Sequence, residues 1–151
     1  MPLTRTPHWA EHEFHDFLLA RAKTPFAWGT NDCCLFPADA IQAFTGVDLA
    51  ADFRGKYSTE AEALALIKTV TGGATAEDAA VYCAAKHGLV EWVRDGKPAP
   101  LFAQRGDLVV LDDGGNLIAG VVHLKGSVAV TVGAEGLKLL SIRAIKRAWK
   151  V

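Results

Sequence analysis

The feature that most constrains this chain is a change of character near residue 88. Before it the sequence is rich in Ala, Glu and Leu and carries helix start and stop signals. From about residue 89 it is rich in Val, Leu and Gly, with strand and turn signals. No linker, repeat or low-complexity tract separates the halves. Elements segregated in this way point to one α+β domain over residues 1–151. A helical half (about 6–88) would pack on an antiparallel β-meander (about 89–151), in contrast to alternating βαβ units. A chain of 151 residues is long enough to bury a core in one domain.

Local signals place the elements. Thr6-Pro7 reads as an N-cap with proline at the first helical position, opening a helix to about Ala22. Asp32 is a second N-cap, and Thr45-Gly46 ends its helix. Pro37 lies deep enough to loosen the first turn of that helix. Thr59 with Glu62 suggests a capping box for a third helix, which stops at Gly72-Gly73. A fourth runs from about Thr75 to His87-Gly88. Strands are expected at Leu89–Val93, Asp107–Leu111, Leu117–Leu124, Ser127–Val132 and Leu137–Ser141. Hairpin turns are expected at 112–115, 125–126 and 133–136.

Composition narrows function mainly by exclusion. Net charge is −1 with both signs interspersed, so nothing favours nucleic acid or an anionic membrane surface. Apolar runs fall short of the roughly 20 residues that cross a bilayer, and the N-terminus lacks signal-peptide organisation. Three cysteines, two adjacent, do not make a disulfide framework and suit a reducing cytosol.

Cys33 is the leading candidate for chemistry. It immediately follows the proposed Asp32 cap, where unpaired N–H groups and the helix dipole favour a thiolate. Free cysteine is also a common small buried hydrophobe, and that reading stands beside the nucleophilic one. Cys34 points elsewhere around the helix and Cys83 lies among alanines, so both are expected in the core. His8, His12 and His15 share a helical face, but the stretch HEFHD misses the His-Glu-x-x-His spacing. They are read as a solvated face, and no metal or cofactor is expected. Trp149 beside Arg147 and Lys150 suggests either a solvated basic tail or a contact for a partner.

Trp28-Gly29-x-x-Asp32-Cys33, with Ala38-Asp39 following, Arg105-Gly106-Asp107-Leu108-Val109, and the tail Arg147-Ala148-Trp149-Lys150-Val151 together resemble the NlpC/P60 superfamily. The similarity is closest to its small members from phage and prophage tail modules. The resemblance implies a papain-like fold with Cys33 as nucleophile, and a tail-tip or baseplate setting in a virion assembled in the host cytoplasm. In such peptidases a histidine opens the strand after Gly-Asp-Leu. The matching residues here are Ile118-Ala119-Gly120-Val121, and Ile118 cannot accept a proton. His123, five residues on, is a poor substitute because strand side chains alternate faces. The orienting third group would fall near Thr131. Two functions are therefore expected. One is a structural tail protein with a degenerate peptidase fold, binding other tail proteins. The other is a cysteine peptidase or amidase acting on peptidoglycan during entry.

Overall fold

The computed structural model describes residues 3–151, so the first two residues of the expected domain lie outside it. Four helices precede the sheet strands: α1 (Glu13–Arg21), α2 (Leu35–Thr45), α3 (Glu60–Thr71) and α4 (Ala76–Lys86). α2 is the central one. It is apolar nearly all round, with Leu35, Phe36, Ala38, Ile41 and Phe44 buried, the pattern of a helix surrounded by core. Gly46, at φ 77°, ends it. Thr59 caps α3 by accepting from Glu62 N–H, but the Glu62 carboxylate accepts in return from Ser58 N–H. At α4 the box between Thr75 and Asp78 is reciprocal. The small residues Ala79, Ala80, Cys83 and Ala84 line its buried face.

The first helix is shorter than expected. Residues 7–12 form turns, and Phe14 N–H donates to the Trp9 carbonyl, one residue beyond α-helical spacing. The wider turn seats the Trp9 ring 6.0 Å from Phe14 and 5.1 Å from Phe44, under the Arg5 guanidinium. Aromatic packing outweighs the proline start signal here.

The β half comprises β1 (Val90–Glu91), β2 (Val93–Arg94), β3 (Lys97–Pro98), β4 (Leu108–Asp113), β5 (Asn116–Val122), β6 (Val128–Gly133), β7 (Gly136–Ser141) and β8 (Ile145–Lys150). Six of these make an antiparallel sheet in the order β1-β8-β4-β5-β6-β7. The α+β class and the meander over β4–β7 are as expected. Two features are not. The expected strand Leu89–Val93 divides, and β2 folds away into a hairpin with β3 across Asp95-Gly96. The C-terminal segment is no tail. β8 lies inside the sheet between β1 and β4. Its alternation is masked in sequence by Lys146, Arg147 and Lys150.

The helices cover one sheet face, packing on Leu108, Val110, Val121, Val130 and Val132. The other face holds a second cluster, including Val109, Leu111, Val122 and Ala148, closed by Trp92, Ala103 and Ile142. Because Leu108–Leu111 of β4 are buried on both faces, they read as an uninterrupted apolar run.

Asp107, just before β4, is 1% exposed and joins the distant parts of the chain. Its carboxylate accepts from Arg5, Trp92 Nε1, Gln104 N–H and Val151 N–H at 2.8–3.1 Å. Asp107→Ala would strand these donors, and we expect it to destabilise the fold by roughly 3–5 kcal/mol. Urea unfolding measures this; a loss below about 1 kcal/mol would show that water replaces the carboxylate.

Candidate functional site

Asp32 builds the site. It is fully buried, and its Oδ1 accepts from Cys34 and Leu35 N–H at 3.0 and 2.9 Å. These are the second and third residues after it, and Phe36 N–H reaches its carbonyl, so Asp32 is the N-cap of α2 in hydrogen bonding. Regular helix is reached only at Leu35. Pro37 has no N–H to offer the Cys33 carbonyl, which accounts for the irregular first turn. The other carboxylate oxygen accepts from Gly29 N–H at 2.9 Å and the Tyr57 hydroxyl at 2.5 Å. Burial first, then this bond to Asp32, drives the Tyr57 phenol well above its ordinary pKa. Gly29 has φ 84°, and a Cβ there would lie 2.3 Å from the Tyr57 carbonyl oxygen. The Trp-Gly pair in the sequence therefore has a steric cause.

Cys33 follows the cap, as the sequence indicated, and the Ala119 N–H of β5 donates to its sulfur. That N–H is available because the β5–β6 ladder extends only from Val122↔Ala129 to Val121↔Val130. Beyond it, Cys33 sulfur takes the Ala119 N–H and the buried Thr131 hydroxyl donates to the Ala119 carbonyl at 2.8 Å. Thr131, expected near an orienting position, is thus occupied with the backbone. Burial, followed by the Asp32 charge, pushes the Cys33 thiol up to about 11, against the weaker opposing effect of the Ala119 N–H. The helix terminus does not deliver an activated thiolate. Burial is also the main cause of raised pKa values at Cys34 and Cys83, the latter to about 12.

Cys33 borders a cleft of about 590 Å³. Phe26, Trp28, Leu64 and Ile67 supply apolar wall, and Glu60 and the ion pair Lys138–Asp113 (2.6 Å) supply charge. No histidine lines it among the described residues. Leu117 and Ile118 both border it at the start of β5, but their side chains diverge. Ile118 packs with the cluster on the outer face, whereas Leu117 packs with the helix-side core. Ile118, expected at the base position, therefore faces away from the helices, and Leu117 takes the helix-facing side at this end of β5.

His123 is excluded as a base in this chain. It lies in the turn beyond β5, roughly 13 Å along the strand direction from Ala119. Its Nδ1 accepts from Lys125 N–H at 3.1 Å, and burial followed by the Lys125 charge lowers its pKa. His8, His12 and His15 are exposed or half-exposed and form no metal-binding group among the described residues.

The expected partner residues also move. Trp149 is 4% exposed and part of the helix-side core. Arg147 makes a two-pronged pair with Glu91 at 2.7 and 2.9 Å. Neither is a free contact surface; Lys150 alone of the three is exposed. Other motif residues prove structural. Asp39 bridges Arg21 and Arg54, each at 2.7 Å, and Asn31 ties Arg21 to the carbonyls of Thr24 and Pro25. Sequence reading missed Tyr57 as a site residue, since nothing local marks a tyrosine that closes over an aspartate 25 positions earlier.

A family model described as a domain of unknown function, DUF6950, matches residues 4–151. The chain belongs to that family. No curated protein and no solved structure matches it.

The raised thiol has two measurable consequences. Cys33 alkylation by iodoacetamide should remain slow at pH 8.5 and rise toward pH 11, and Asp32→Asn, which keeps a capping side chain, should shift that rise to lower pH. A folded-state pKa above the unfolded value of about 8.5 also means that the thiol's contribution to stability is complete below that value. It is lost as pH climbs toward 11. Fast alkylation near pH 7 would refute the assignment.

Proposed function

We propose that this protein is a non-catalytic relative of the NlpC/P60 peptidases, of the kind carried in phage or prophage tail modules. In this reading it is a tail-tip or baseplate component that binds other tail proteins through a retained papain-like scaffold. The observation that carries it is geometric: Cys33, half-buried at the edge of the cleft, has no histidine across from it among the described residues. Cys33 sits at a helix start against β5, the placement that the resemblance implies for a nucleophile. The β5 residues that line the cleft are Asn116, Leu117 and Ile118, and no histidine lines it among the described residues. Acyl transfer by a cysteine needs a group that takes the thiol proton and later delivers it to the leaving amine. Neither half of that cycle has a carrier here. Asp32 cannot serve, because both its oxygens are engaged by backbone N–H groups and Tyr57. The tail setting rests on the sequence resemblance.

The competing activity, cleavage of peptide or amide bonds in peptidoglycan, would require an imidazole supplied by another chain. Incubation with purified sacculi distinguishes the two readings. We expect no release of soluble peptide, and no difference between the protein and Cys33→Ala. Release that disappears in Cys33→Ala would overturn the proposal. Leu117→His places an imidazole on the helix-facing side of β5. It should lower the pH at which Cys33 alkylates, whereas Ile118→His, directed to the other face, should leave it unchanged.

A further inference from the structure

The sheet face away from the helices is finished differently from the rest of the molecule. It is closed by residues 92–103 and by the turn Ile142–Ala144. That closure leaves apolar side chains in solvent: Val90 is 65% exposed, Leu101 69% and Phe102 47%. Lys150 and Trp92 connect them. Val90 is the cross-strand partner of Lys150, which places both side chains on one face. The Lys150 ammonium lies 4.7 Å over the Trp92 ring, and that ring lies 6.3 Å from Phe102, the neighbour of Leu101.

The charge around these side chains is one-sided. Arg94 and Lys97 face each other at the β2–β3 hairpin, Lys150 lies over Trp92, and Arg143 projects from the adjoining turn. All four are exposed, and none has an ion-pair partner among the described residues. By contrast, Arg21, Arg54 and Arg147 are each committed to carboxylates. Among the described residues Asp95, in the hairpin turn, is the exposed acid next to Arg94 and Lys97 in the chain, and Glu91 is already held by Arg147.

We propose that this outer face docks an acidic, apolar segment of another protein. Carboxylates would meet Arg94, Lys97, Arg143 and Lys150, and an aliphatic or aromatic side chain would cover Leu101, Phe102 and the edge of Trp92. An apolar centre with a polar, charged rim is the anatomy of a protein interface. A polyanion such as nucleic acid or an anionic membrane is less well matched. Four cations around an apolar centre offer no track for successive phosphates, and the net charge of −1 gives no long-range attraction. The inference rests on the binding role proposed above and gives that role a surface, on the opposite side of the sheet from the helices.

The test is an NMR titration of the ¹⁵N-labelled full chain with a synthetic peptide alternating Glu with Leu and Phe. A peptide with Lys in place of Glu, phosphatidylglycerol vesicles and duplex DNA are titrated in parallel. We expect saturable shifts at residues 90–103 and 143–150 with the acidic peptide alone. Affinity should fall at least tenfold in the double variant Arg94→Glu, Lys97→Glu, and again in Leu101→Ser, Phe102→Ser, with dispersed spectra verifying the fold. Glu60→Lys, at the cleft, should have no effect. Absence of saturable shifts at this face, binding indifferent to the charge reversal, or preference for the vesicles or DNA would overturn the proposal. Such a failure leaves the Cys33 alkylation result untouched. Cys33-dependent hydrolysis would refute the non-catalytic reading without moving these shifts.

Discussion

A buried carboxylate at the start of α2 organises the helical half of this protein. Asp32 has no solvent, so each of its oxygens must be satisfied from within. It recruits the first turn of α2 through Cys34 and Leu35, the preceding loop through Gly29, and the approach to α3 through Tyr57. Those bonds set where Cys33 stands and how the cleft wall closes around it. The same charge opposes ionisation of the adjacent thiol. A cap that would ordinarily prepare a helix N-terminus for an anion has already spent that capacity on its own carboxylate.

Asp107 plays the corresponding part for the β half. It gathers Arg5 near the N-terminus, the C-terminal Val151, and the Trp92–Gln104 excursion at one point before β4. Arg5 and Val151 are thereby fastened beside the start of β4. The loop is committed to closing the outer face. This explains why a region of short strands and turns keeps Trp92 in place while its neighbours Leu101 and Phe102 remain in solvent.

The cleft and the outer face consequently have different characters. The cleft is apolar with a small ion-paired rim, and no histidine lines it among the described residues. The outer face carries unpaired cations around exposed apolar side chains. Recognition needs only complementary surface, whereas covalent catalysis also needs a proton carrier within hydrogen-bond reach.

Local sequence determined what depends on local physics. Caps at Asp32, Thr59 and Thr75, glycine stops at Gly46 and Gly72, and valine-rich stretches in β4–β6 marked most elements, because capping and strand preference act over a few residues. The position of Cys33 beside a helix start was legible for the same reason. Asp95-Gly96 was also a readable hairpin signal, lying just beyond Leu89–Val93, which was expected to be one strand. Tertiary structure decided the rest. Trp9 exchanged helix for aromatic packing against Phe44. Ile145–Lys150 became an interior strand because pairing with Leu108 and Glu91 buries Trp149. The thiol was raised chiefly by burial, which depends on segments that the sequence around Cys33 does not contain. Hydrogen-bond caps and side-chain periodicity are written in neighbouring residues, but burial, sheet order and proton affinity depend on which distant segments come to surround a group.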